Sequence, residues 1–110
     1  MNNEQISHLI ATMVNGWQQV DGIVYLDPAS NMYAYRANYP ESAPHAIDLA
    51  AVNNIAIAPH QGQWKAAKVI SSSNSGNTIM IEVDPNSIAV DSSFPKAICL
   101  SLLRSVGVEV

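Results

Sequence analysis

The sequence predicts an α+β domain, a small α-β-α layered sandwich with three helices on an antiparallel sheet of three to five strands. Three observations carry this expectation. Apolar residues recur at helical spacing near both ends of the chain, behind residues suited to capping a helix. A proline-led, alanine-rich stretch marks a third helix in the middle. Short β-rich runs bounded by Gly, Pro, Asn, Asp and Ser fill the space between. Helices at both ends and in the middle, with antiparallel strands between them, are expected to bury their apolar sides in layers.

Asn2 to Asn15 reads as the first helix. Ile6, Leu9, Ile10, Met13 and Val14 form its apolar stripe, Asn2 and Gln5 have capping-box spacing, and Asn15-Gly16 supplies the stop. Trp17 is expected to fold back over the helix end. Gly22–Leu26 and Met32–Ala37 are extended runs separated by the turn residues Asp27–Asn31, the second run being either a hairpin partner or an ordered loop.

Ser42 and Pro44 open the middle helix, whose small face is Ala46, Ile47, Leu49, Ala50 and Ala51, and Asn53-Asn54 ends it. Ile55–Ala58 and Trp64–Ile70 form a hairpin around His60–Gln63. Ser71–Asn77 reads as a mobile polar loop. In Thr78–Val83 the residues Ile79, Ile81 and Val83 share one face. Asp84–Ser87 turns into Ile88–Val90. The last stretch, Phe94–Val108, is a helix capped by Ser92 or Ser93 with Pro95 in its first turn. Ile98, Cys99, Leu102, Leu103 and Val106 face inward, and Lys96, Ser101, Arg104 and Ser105 face outward.

Composition bounds the rest. A chain of 110 residues supports one domain, 1–110, and a hydrophobic fraction of 48% with 13% charged residues is that of a globular protein. A net charge of -4 argues against direct binding of a nucleic-acid backbone, which takes clustered Lys and Arg; Lys65 and Lys68 are the one local basic pair. Cys99 is the sole cysteine, so no internal disulfide or thiolate metal cluster forms, and a reducing, cytoplasmic setting fits. The N-terminal stretch has no basic-then-apolar signal, and no apolar run approaches the roughly 20 residues of a membrane span.

Three separated pieces resemble the phage ABA-sandwich domain family, small phage and prophage proteins. They are Met13-Val14-Asn15-Gly16-Trp17; Tyr39-Pro40-Glu41-Ser42 before the alanine-rich helix, followed by an Ile-x-Ile strand and Gly62-Gln63-Trp64-Lys65-Ala66; and Phe94-Pro95-Lys96-Ala97-Ile98-Cys99-Leu100. The resemblance implies an α-β-α fold and a phage or prophage origin in a bacterial host. It brings no catalytic residues. Thr78–Val90 is longer than the family pattern, which adds an edge where a partner can dock.

Tyr25, Tyr33, Tyr35 and Tyr39 with Arg36 form the one unusual cluster, because aromatic residues and arginine are enriched in binding hot spots. The ligand- or partner-binding candidates are Tyr33, Tyr35, Arg36, Tyr39, Trp64 and Lys65. His8, His45 and His60 have no spacing that forces a metal or acid–base site, and Ser71–Asn77 lacks the lysine of a phosphate-binding loop. No cofactor or metal is expected. The function expected is that of a non-enzymatic phage or prophage binding protein acting on a host defence component, as an inhibitor resembling anti-CRISPR proteins or as a sponge for a nucleotide signal. Its partner is then a host protein or a small nucleotide, with self-association left open. The alternatives are a small enzyme on a nucleotide or peptide, using His60 or His45 with Asp48 or Glu82, and a phage assembly protein.

Overall fold

The computed structural model describes residues 1–110, and the chain folds as an α+β domain with three helices and antiparallel sheets of three and four strands. The strands divide between two sheets. The first holds β1 (Gln18–Asp21), β2 (Val24–Asp27) and β3 (Met32–Tyr35), in that order. The second holds β4 (Ile55–His60), β5 (Gln63–Ser75), β6 (Thr78–Val83) and β7 (Ala89–Asp91), with β5 paired to the other three.

The first helix begins as its sequence signals. In α1 (Asn3–Leu9), Asn2 Oδ1 accepts the Gln5 N–H and Gln5 Oε1 accepts the Asn2 N–H, each at 2.8 Å. The helix then widens into a π-helical turn, Ile10–Val14, where the Asn15 N–H reaches Ile10 O. The wider turn shifts the helix face. Ile6, Ile10 and Ala11 are therefore buried, while Met13, expected inside, faces solvent. Gly16, with φ +72°, lets the chain reverse so that the Trp17 N–H bonds to Ala11 O.

The middle helix α2 (Ala43–Asn53) ends on Asn54, which holds the left-handed conformation at φ 55°. The last helix, α3 (Phe94–Ser105), is capped by Ser93 and is the centre of the molecule. It touches α1, α2 and the strands β4, β5 and β7. Its residues Ala97, Ile98, Cys99, Leu102 and Leu103 join Ile6, Ile10, Tyr39, Ala46, Leu49, Ile55 and Ala66 in one buried cluster. Burying each larger side chain contributes about 1.5–3 kcal/mol before entropy is subtracted.

Because α3 is covered on several sides, its polar positions do not all reach water. Ser101 is fully buried with no partner for its hydroxyl. Arg104 is half-buried and donates to main-chain oxygens of Ile88 and Val110. Val106, expected inside, lies just past the helix and is exposed.

The hairpin β4–β5 closes through Gln61-Gly62, both at positive φ, as a two-residue turn that follows the strand twist. Register places Ile55, Ala66 and Ala89 on the face toward α3. Ala56, Ala58, Lys65, Ala67, Val69 and Val83 lie on the other face, where a shallow apolar hollow of about 200 Å³ replaces a helix contact.

Ser71–Asn77, expected as a mobile loop, is mostly strand. β5 continues to Ser75, and only Gly76-Asn77 turns. Beyond Val69 the strands β5 and β6 project as a two-stranded ribbon in which residues 70–82 are all exposed. The molecule is accordingly drawn out to 49 × 29 × 24 Å. None of its helices is long and apolar enough to cross a membrane.

Candidate functional site

The first sheet and α1 together build a polar cleft. Glu4 and His8 stand one turn apart on α1, so both point to the same side. Arg36 follows β3, and its main-chain N–H bonds to Ile23 O, which fixes where its side chain starts. Tyr25, on β2, is fully buried, with its ring 5.9 Å from His8 and 6.3 Å from Trp17.

Arg36 Nε donates to the Tyr25 hydroxyl at 3.1 Å, and that hydroxyl lies 2.8 Å from His8 Nδ1. The Tyr25 hydroxyl can accept from arginine and still either give a hydrogen bond to His8 Nδ1 or take one from it, according to the His8 tautomer. Arg36 Nη2 donates to Glu4 Oε1 at 3.3 Å; the arginine side chain is 7% exposed and the glutamate 80%. Glu4, Gln5, His8, Gln19 and Arg36, with Met1 and Leu9 as its apolar edge, surround an open cleft of about 650 Å³. That volume falls in the range of small-molecule sites. The arginine and the two amides offer hydrogen-bond donors, and the exposed Glu4 carboxylate can swing away from Arg36.

The sequence candidates part company in space. Tyr33 and Tyr35 are 70% and 73% exposed. They are two residues apart on β3 and pair with Leu26 and Val24, so both rings stand on the outer face of the first sheet over apolar neighbours. Arg36 belongs to the cleft. Tyr39 is buried in the main core with Ala46 and Leu49; burial pushes its phenol up, partly offset by the Asn15 amide at 3.4 Å and by Arg36. Trp64 stands edge-on to Phe94 at 5.8 Å against the core cluster. Lys65 is on the open face of the second sheet, and Lys68 turns the other way to reach Asn53 O.

The histidines are dispersed as well. His45 receives or gives a bond at Ser42 Oγ (2.6 Å) and lines a small hollow with Asp48 and Tyr39, while His60 ends β4 and Glu82 lies on the ribbon. No three His, Cys, Asp or Glu side chains converge in a geometry that would hold a metal ion. Burial pushes the Cys99 thiol up to about 12. Of the cleft residues, Gln5 reads from the sequence as a cap and His8 as an isolated histidine, while Glu4 and Gln19 carry no signal beyond the Glu4–His8 interval; their convergence with Arg36 depends on how the sheet docks on α1.

No protein-family model and no curated protein matches this chain. Among solved structures it is similar to a phage protein from Bacillus cereus ATCC 14579, known from a 2.0 Å crystal structure. The two share 14% identity with a TM-score of 0.66, over 100% of this chain and 92% of that one. The class defined is thus an α+β domain with the fold of a phage protein.

Proposed function

We propose that the chain is a small phage- or prophage-encoded binding protein without catalytic activity, acting in the host cytoplasm on a protein of host defence. The observation that carries the reading is the pair Tyr33 and Tyr35, two mostly exposed rings side by side on a rigid three-stranded sheet. Large aromatic rings give much contact area for little lost conformational freedom, and they anchor many protein interfaces. The shared fold with a phage protein supports the phage origin.

The test is capture from host lysate by wild type and by the Tyr33→Ser/Tyr35→Ser double variant. A host protein retained by wild type and lost from a folded double variant supports the reading. Equal capture by both removes the tyrosine face from it.

A second reading rests on the cleft. Arg36, Gln5 and Gln19 offer donors to a small anion such as a nucleotide signal, within about 650 Å³. A nucleotide that binds only the folded state raises the melting temperature by mass action. The shift should vanish in Arg36→Met and persist in the double tyrosine variant. A nucleotide panel that leaves wild-type melting unmoved excludes this second reading.

A further inference from the structure

We propose that the ribbon formed by β5 and β6 is a dimerisation arm, and that two copies of the chain join β6 to β6 in antiparallel fashion across a two-fold axis. The outer edge of β6 is paired to no other strand. Between Val69 and Val83 the only charged residue is Glu82, and the segment contains no lysine and no proline. Natural edge strands are usually protected by such residues, and an edge without them is a template for another strand.

A lone two-stranded ribbon is marginal in water, whereas three or more strands hold together. Joining two arms converts a pair of ribbons into one four-stranded sheet, β5-β6-β6-β5. The arm also explains the shape. The radius of gyration is 14.7 Å, against about 13 Å for a compact domain of this length.

The backbone settles which groups are free. The two-residue turn Gly76-Asn77 makes Ser75 and Thr78 a hydrogen-bonded pair. Direction alternates along the strand, so Thr78, Met80 and Glu82 address β5. Ile79, Ile81 and Val83 then send their N–H and C=O groups outward.

A two-fold axis through Ile81 places Ile81 opposite the partner's Ile81 and Ile79 opposite the partner's Val83, all on one face. It also sets Met80 opposite the partner's Glu82, so the only charge of the arm does not meet itself. Ile79 and Ile81 are 71% and 49% exposed and would be covered by like side chains. β-branched pairs across antiparallel strands are favourable. This self-complementarity selects a second copy over an unrelated partner.

Sedimentation of the full chain over a concentration series should show a dimer for wild type and a monomer for Ile81→Lys. The melting behaviour of the main body should change little, because Ile81 lies outside the buried cluster. Ile81→Cys should be joined into a covalent dimer by a short bis-maleimide, since hydrogen-bonded pairs bring Cα atoms to about 5.5 Å. Ser72→Cys, on β5 and so three strand spacings (about 14 Å) from its copy, should not, and buried Cys99 stays out of the reaction. A wild type that remains monomeric up to its solubility limit overturns the proposal. So does a dimer that survives Ile81→Lys and fails to cross-link through Ile81→Cys.

Discussion

Replacing Ser101 by alanine should make this protein more stable, against the usual direction of a core substitution. Ser101 is fully buried on α3, and its hydroxyl has no hydrogen-bond partner. Leaving such a group unpaired costs about 1–3 kcal/mol of desolvation. Alanine also has the higher helix propensity by a few tenths of a kcal/mol. Against this stands the loss of one small atom from a close-packed site, so a net gain of about 1–2 kcal/mol is expected. Unfolding entropy near 2.1 cal/mol/K per residue over 110 residues converts each kcal/mol into about 4 °C. The melting temperature should therefore rise by about 4–8 °C, with a matching rise in the urea midpoint at unchanged slope. An unchanged or lowered midpoint would mean that the hydroxyl has a hydrogen-bond partner after all.

Ser7 should respond with the opposite sign. Its hydroxyl reaches Asn3 O at 2.9 Å and accepts the buried Tyr39 N–H at 3.2 Å, so Ser7→Ala strands that donor and should cost about 1–3 kcal/mol in urea unfolding. Leu102→Ala, at a fully buried position in the central cluster, should cost about 2–5 kcal/mol in the same assay. Alkaline pH should destabilise the fold through Cys99. Its thiol is raised from 9.0 to about 12, so the unfolded chain releases the proton first, and stability falls as pH rises from 9 toward 12. The raised Tyr39 phenol acts in the same direction, and Cys99→Ala should flatten part of the decline measured by urea titration. In native protein at neutral pH, a thiol reagent should label Cys99 only at the rate of unfolding.

Local signals in the chain were sufficient wherever structure is made by neighbours in sequence. The Asn2–Gln5 capping box, the Ser93 cap with Pro95, the Asn54 stop and the strand Thr78–Val83 are all present as read, because each needs only a few adjacent residues. Failures occurred where distant groups compete. β1 is exposed throughout and has Val20 as its one apolar residue, so it carries no alternation to recognise and is held by its hydrogen bonds to β2. Ser71–Ser75 looks like a loop by composition, yet its backbone is held by β6.

The candidate site was legible in part. Tyr33, Tyr35 and Tyr39 read alike as binding candidates in the sequence, yet Tyr33 and Tyr35 stand exposed whereas Tyr39, only four residues beyond Tyr35, is drawn into the core. Composition cannot separate them; strand register and helix docking do.

An α+β domain, three helices and most of the strand segments are written into the chain locally. Those follow from periodicity, caps and turns within short windows of chain. The division of the strands into two sheets, the covering of α3 on its polar side, and the meeting of Arg36 and His8 at one cleft over buried Tyr25 arise in the packed molecule. Each of these depends on which surfaces are brought together to exclude water, and that choice is made by contacts between residues far apart in the chain.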